Sequence, residues 1–486
     1  MLAMTATLLG TSALAQDIPQ ADSDWFTAAQ ERLQTQLDAQ PNTNTAKNVI
    51  VLVSDGNGVG TNYASRLWAG QQEGGLGDDY NQPHDLFPNL ALVKTYNVNA
   101  QTPDSAGTGT AMMSGIKTKA GIIGVTEDVN RGDCSTLPGN TVASLNEIMT
   151  EMGKETGIVS TARITHATPA SAYAKTADRN FEASVPEGCT EQADIATQLI
   201  EAMRSGVIDL AIGGGMRNFH ADDGGRREDG VNLIEIAQTE LGAHFAMDQA
   251  SFEAAPLDGT PILGLFENSH MMYEADRTDE PSLAEMTAAA ITALEAKSGD
   301  NGFFLQIEAG RVDHANHAGN LARVVQDQKA FADAVAMADE LTDDEETLIV
   351  VTADHEHAIA FNGYCGRGSN ILGLCMGING DGVEHTGEAE LASDGKPFTV
   401  AGYLNGAGSV LIEQPDGSYF GTRPNVTEEE ATDIDYPQQA LVPKSSETHS
   451  GEDVAVYAKG PWAHLFNGTI EQNLIFHVMH HAATAE

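Results

Sequence analysis

Short apolar runs punctuate the chain, and clusters of polar residues close three of them. The runs fall at 48–53 (NVIVLV), 157–160 (GIVS), 207–212 (VIDLAI), 303–307 (FFLQI) and 347–352 (TLIVVT). None alternates regularly between apolar and polar, which predicts strands covered on both faces, as in a parallel sheet. The Ala-rich segments 282–297 and 321–341 carry the helical spacing expected of the covering layers. The fold class is therefore α/β, built on a central, mostly parallel sheet. Ahead of the first run, Trp25, Phe26, Ala29, Leu33 and Leu37 recur at helical intervals and predict an amphipathic helix. Over 362–439 the texture changes: Gly is frequent and apolar runs are few, as in INGDGVEHTGEAELASDGK. That stretch reads as an irregular lobe inserted into an α/β core formed by 17–361 and 440–486. A core-like pattern returns at 450–459, and Ile470, Leu474, Ile475 and Val478 predict a closing helix.

Charge narrows the choice of partner. Against 25 Lys and Arg stand 70 Asp and Glu, a formal charge of -45. Nucleic acid and anionic membranes would be repelled, so neither is expected as a partner. A carpet of carboxylates stays soluble where salt screens its self-repulsion, which points to a halophilic habitat. With 41% hydrophobic residues, 49 Gly and 17 Pro the composition is that of a loop-rich globular protein. The opening residues 1–16, MLAMTATLLGTSALAQ, end in small residues like a secretory signal, so the expected destination is the periplasm or the extracellular space. No later stretch reaches roughly 18 consecutive apolar residues, so no membrane anchor is expected. Four cysteines in an exported chain favour two disulfides, for which three pairings exist. The short spacing of Cys365 and Cys375 favours a local staple, which leaves Cys134 with Cys189 by elimination.

Candidate chemistry gathers where strands end, because ligands of open parallel sheets bind at the carboxyl ends of their strands. Asp55 follows the first run, Glu308 and Asp313 follow the fourth, and Asp354, His355 and His357 follow the fifth. Asp313 and His317 are four apart, so on a helix they project from one face and can grip one cation. His314 lies off that face. Asp354 and His355 directly follow a strand that should be buried, where polar side chains are costly unless a metal or hydrogen bonds satisfy them. His357 is either a further ligand or a support for one. In 102–115 (TPDSAGTGTAMMSG), small residues leave Ser105 accessible near a helix start, where backbone N–H groups favour a phosphate or a serine anion. The segment is neither a G-x-S-x-G elbow nor a P-loop, which disfavours a Ser-His-Asp hydrolase.

Seven segments occur in order along nearly the whole chain after the leader: VLVSDGNG, TPDSAGTGTAMMSGIKT, THATPAS, YAKTADRN, QIEAGRVDHANH, VVTADHEHA and ETHSGEDVAVYAKGP. Together they closely resemble the alkaline phosphatase family, in an exported, bacterial-type form. The resemblance implies a three-layer fold with a crown-like inserted lobe, a homodimer, and two Zn2+ and one Mg2+ per subunit. It implies that Asp313, His317 and His449 hold one zinc, and that Asp354 and His355, with Ser105, hold the second. Asp55 would bridge the second zinc to magnesium, whose site Thr168 and Glu308 complete. His166 would tune the surroundings of that ion, Arg179 would bind phosphate, and Asp104 would orient Arg179. The implied reaction is hydrolysis of phosphate monoesters at alkaline pH through a phosphoserine on Ser105. His166 departs from members that carry a carboxylate there, which leaves magnesium or zinc open as the third occupant.

Two rivals have distinct signatures. A sulfatase would follow its nucleophile with a Pro and Arg motif, whereas Ser105 is followed by Ala106, Gly107 and Thr108. A silent cation-binding surface protein would spread its carboxylates in acidic tracts, whereas these sit at strand ends beside histidines and an arginine. A phosphodiesterase differs by pocket shape more than by catalytic residues. An acidic chain that takes up a phosphate ester also needs a locally positive site, which zinc ions and Arg179 would supply.

Overall fold

The run expected at 48–53 forms strand β1 (Asn48–Ser54), every residue of which is buried. The computed structural model describes residues 18–382 and 384–485, so the candidate leader at 1–16 lies outside the described residues. The chain divides into two units at Pro41 and Asn42. The first contains the expected helix, Asp24–Asp38, none of whose residues is buried. The second, from Asn42 on, holds β1 and the sheet around it.

Here β1 is joined in one sheet by β2 (Asn89–Lys94), β3 (Glu155–Arg163), β4 (Leu210–Gly214), β5 (His244–Ala246), β6 (Ile262–Leu265), β7 (Phe303–Ala309) and β8 (Thr347–Ala353). Strands Val454–Lys459 and Thr469–Glu471 bring the sheet to 10 strands. Its order is Thr469–Glu471, β2, Val454–Lys459, β8, β1, β7, β3, β4, β6, β5. Only Val454–Lys459 runs antiparallel to its neighbours, β8 and β2; the other described pairings in this sheet are parallel. The sheet is thus mostly parallel, as its unalternating strands required.

Side chains along β1 alternate between two cores, as the period of two dictates. Val49, Val51 and Val53 pack with helices Leu145–Glu151, Ile195–Ser205 and Leu474–Thr484. Ile50 and Leu52 pack with helices Leu283–Ser298 and Leu321–Glu340 on the other face. Local sequence starts both of the latter helices. Ser282 and Glu285 form a capping box, and the Asn320 side chain accepts the Arg323 N–H. Ile470, expected in the closing helix, lies instead in the strand Thr469–Glu471 paired with β2, and the helix begins at Leu474. Sheet pairing at this edge overrides the helical spacing of four apolar residues.

The segment 362–439 carries short hairpins, Met376–Ile378 with His385–Ala389 and Ile412–Glu413 with Tyr419–Phe420, and a helix, Glu428–Ala431. Its strand Ala401–Gly406 pairs with Ile359–Phe361 on one side and Ala440–Pro443 on the other, which stitches the segment to the chain at both flanks. Disulfides join Cys134 to Cys189 and Cys365 to Cys375, the pairing that spacing favoured.

Candidate metal and phosphate centre

Because β1 lies between β7 and β8, the three candidate strand ends converge. Asp55, Glu308, Asp354 and His355 are all fully buried. The turn after Asp55 needs Gly56, whose φ is +70° and whose added Cβ would fall 2.4 Å from His357 Nε2. Three groups of side chains meet there.

In the first, Asp55, Asp354 and His355 present ligand atoms to one point. His355 Nε2 lies 3.3 Å from Asp55 Oδ1 and 3.4 Å from Asp354 Oδ2. Asp354 also accepts the Gly56 N–H at 3.0 Å and the Thr108 hydroxyl at 3.1 Å, which fixes its orientation. Burial, with the neighbouring His449, holds His355 well below the usual histidine range, so its ring is neutral and fit to ligate.

The second centres on Asp313, carried with His317 on helix Arg311–His317. Asp313 Oδ1 lies 3.3 Å from His317 Nε2 and 3.3 Å from His449 Nε2, and those two nitrogens are 3.1 Å apart. Each ring uses its other nitrogen on a backbone carbonyl: His317 Nδ1 meets Glu447 O at 2.7 Å, and His449 Nδ1 meets Pro103 O at 2.9 Å.. Such partners orient a ligand ring and fix its tautomer. Sequence reasoning left His357 unassigned and missed Glu447. His357 Nε2 meets Asp313 Oδ1 at 2.9 Å, and its Nδ1 meets Glu447 Oε2 at 2.6 Å. Burial opposes its charge, yet the two carboxylates push His357 up to about 10. Burial likewise opposes ionisation of Asp313, but His317 and the other imidazoles hold its carboxyl well below the usual range.

In the third, Asp55, His166 and Glu308 approach one another. Asp55 Oδ2, Glu308 Oε1 and Thr168 Oγ1 are buried without a hydrogen-bond partner. Such orphans are costly and demand a counterpart. Burial and then the charge of Asp354 raise Asp55 well above the carboxylate range, and burial pushes Glu308 up to about 7. Three oxygens of this kind around one point fit a hard divalent cation, and the nitrogen-rich second group fits zinc.

Ser105 opens the helix Ser105–Ser114, with Asp104 as its N-cap. Its hydroxyl lies 3.3 Å from His355 Nε2 and 3.5 Å from Asp55 Oδ1. Asp104 Oδ1 accepts the Gly107 N–H at 3.1 Å and the Asn97 amide at 3.0 Å, while Oδ2 accepts Arg179 Nη1 at 3.1 Å. Arg179 Nη2 meets His166 Nε2 at 3.0 Å. One aspartate thus starts the serine's helix and holds the guanidinium. His314 keeps its Nε2 4.0 Å from Asp313 Oδ2 and sets its ring at a tilt against His270, 3.9 Å between ring centres. Neither His270 nor its partner Arg163, whose Nη1 is 2.5 Å from His270 Nε2, had a local sequence signal.

A family model described as alkaline phosphatase matches residues 46–485. The tissue-nonspecific isozyme of alkaline phosphatase from Homo sapiens is 38% identical over 505 residues, covering 98% of this chain and 91% of that protein. An alkaline phosphatase from Gadus morhua is 39% identical over 491 residues, covering 96% and 97%. The crystal structure of Thermus thermophilus alkaline phosphatase matches with a TM-score of 0.64 at 22% identity, over 93% of each chain.

Proposed function

The chain belongs to the alkaline phosphatase family, and on that premise we propose that it hydrolyses phosphate monoesters in two transfers through Ser105. The observation that carries this reading is the Ser105 hydroxyl at a helix start, 3.3 Å from a buried neutral His355 and 3.5 Å from Asp55, whose other oxygen has no partner. Asp313, His317 and His449 would hold one Zn2+. Asp354 and His355 would hold the second, with Asp55 between it and a Mg2+ that Thr168 and Glu308 complete. When bound, these cations would supply Lewis acidity that favours the Ser105 alkoxide and offsets charge on the departing oxygen.

The chain's own residues do the rest. The N–H groups opening helix Ser105–Ser114 favour negative charge on the serine oxygen and on the phosphoryl group. Arg179, pinned through Nη1 by Asp104, presents its planar fork to two phosphoryl oxygens. Ser105 Oγ gives up its proton and forms a bond to phosphorus as the bond to the substrate alcohol breaks; that electron pair leaves on the alcohol oxygen, which is released carrying the proton. Water then attacks the phosphoserine from the vacated side, releases phosphate and returns a proton to Ser105.

The Ser105→Ala variant should lose turnover of p-nitrophenyl phosphate while keeping wild-type zinc content; full turnover would overturn the nucleophile assignment. Comparing rates on mono- and diesters separates this reading from a phosphodiesterase. The two disulfides support an oxidising, exported setting, periplasmic or extracellular. The charge of -45 supports a halophilic one, checked by activity against salt. Exposed Leu404, Ile412, Phe420 and Leu441 on and beside the 362–439 segment support the homodimer, checked by sedimentation.

A further inference from the structure

The strand Ala401–Gly406 reaches both walls of the Asp313 group. Tyr403 and Asn405 are two apart, so they project from the same face of the strand. Buried Tyr403 donates its hydroxyl to Asn316 Oδ1 at 2.6 Å, and Asn316 is fully buried directly before His317. The Asn316 amide points on to the Gly56 carbonyl at 3.5 Å, in the turn after Asp55. Asn405 donates to the Thr448 hydroxyl at 3.0 Å, directly before His449. Further bonds from the 362–439 segment grip the end of the same ligand helix. The Gln438 N–H donates to the Gly319 carbonyl at 2.8 Å, and the Asn320 amide donates to the Ile434 carbonyl at 2.8 Å.

We infer that Tyr403 and Asn405 are positioning residues for the cation held by Asp313, His317 and His449: they fix the gap between the helix that carries His317 and the segment that carries His449. This rests on the cation reading given under Proposed function. His317 and His449 come from opposite walls, which the Glu447 N–H joins by bonding the His317 carbonyl at 3.0 Å, while His449 pairs in backbone register with His357. To these the strand adds a side-chain tie to the residue before each histidine, Tyr403 to Asn316 and Asn405 to Thr448. A shift of a few tenths of an ångström at either wall would spoil a ligand distance that zinc requires within about 0.2 Å. The inserted segment is thereby part of the ligand support and more than a cover.

The test uses the full chain, with Zn2+ affinity measured by competition against a chromogenic chelator and thermal midpoints recorded for metal-free and zinc-loaded protein. Tyr403→Phe removes only the hydroxyl and should weaken Zn2+ binding about 10- to 100-fold, the range typical of lost ligand supports. Asn405→Ala, acting from the other wall, should weaken it too and keeps the inference testable if Tyr403→Phe does not fold. Met247→Ala, exposed directly after the edge strand β5, should leave affinity unchanged. Unchanged affinity in both strand variants, with midpoints lowered equally in the metal-free and loaded proteins, overturns the inference and leaves the cation reading standing. A wild-type chain that binds no Zn2+ overturns both.

Discussion

Replacing Asp104 by Asn separates two tasks that one carboxylate performs. Asp104 caps the Ser105 helix through Oδ1 and holds Arg179 through Oδ2 at 3.1 Å, with side chains 20% and 17% exposed. Asn keeps a cap oxygen for the Gly107 N–H but removes the charge facing the guanidinium. Burial alone would raise Asp104, yet Arg179 and the Gly107 N–H hold it below the usual range, so it is ionised throughout the working pH. A charge-assisted bond in a partly buried pair is worth about 1.5–3 kcal/mol. If Arg179 loses that anchor and keeps only the His166 contact, phosphate should bind roughly ten- to hundredfold more weakly. The assay is competitive inhibition of p-nitrophenyl phosphate hydrolysis by inorganic phosphate, read beside the thermal midpoint. Asp104→Asn should raise the inhibition constant with little change in midpoint. Asp104→Ala should do both, because losing the cap costs about 1 kcal/mol more. An inhibition constant within twofold of wild type in Asp104→Asn would refute the idea that Asp104 acts through Arg179.

Two further predictions concern stability. Burial pushes His84 down to about 4, with Arg66 adding to the effect and Asp85 opposing it. Its fold-state pKa lies below its ordinary 6.5, so the unfolded chain binds the proton first and stability falls as pH drops from 6.5 toward 4, by roughly 3 kcal/mol in all. In urea titrations His84→Gln should flatten that slope; an equal slope in variant and wild type argues against it. The Cys134–Cys189 bridge spans 55 residues and Cys365–Cys375 spans 10. Loop entropy then assigns about 4 and about 3 kcal/mol to them, so serine replacement of the first pair should lower the calorimetric midpoint more. The opposite order would count against the entropic ranking.

Strand ends made much of the centre legible. Asp55, Glu308, Asp354 and His355 stand directly at the close of apolar runs, and Asp313 with His317 has the spacing of one helical face. Residues brought in by long loops carry no such mark. Arg179 reaches Asp104 across 75 residues and His449 reaches Pro103 across 346, so only the family register singled them out. Glu447 looks locally like any loop carboxylate, and its role comes from folding under His357. Edge elements were hidden for a different reason. β5 is three residues long, too short to mark a strand by pattern, and β2 carries an apolar run, Leu90–Val93, whose exposed Leu90 and Leu92 show that only one of its faces is covered. Tyr403 lies in a Gly-rich stretch whose irregular texture gives no sign that one tyrosine reaches the ligand helix.

The expectation of a locally positive site takes a sharper form in the structure. Asp55, Asp104, Asp313, Asp354, Glu308 and Glu447 crowd around the Ser105 region, against the Arg179 guanidinium and a protonated His357. The chain alone therefore builds an acidic pocket inside an acidic protein, and positive potential has to come from bound cations. An uncompensated carboxylate about 4 Å from a phosphate costs about 4 kcal/mol at an effective dielectric of 20, roughly a thousandfold in affinity. Without cations the pocket relieves this partly by holding protons, since Glu308 is pushed to about 7 and Asp55 is raised as well. The Glu308 proton leaves as pH rises through about 7, so metal-free chain should lose phosphate affinity between pH 6 and 9, whereas loaded protein should keep most of it. Isothermal titration of phosphate into chelated and Zn2+/Mg2+-supplemented protein at both pH values measures the difference. If the chelated protein binds phosphate at pH 9 as tightly as the loaded one, Arg179 and the helix start suffice and the cations are not what makes the pocket attractive. If it does not, cation loading and phosphate affinity are linked through the same buried carboxylates, and the alkaline range is where that linkage is strongest.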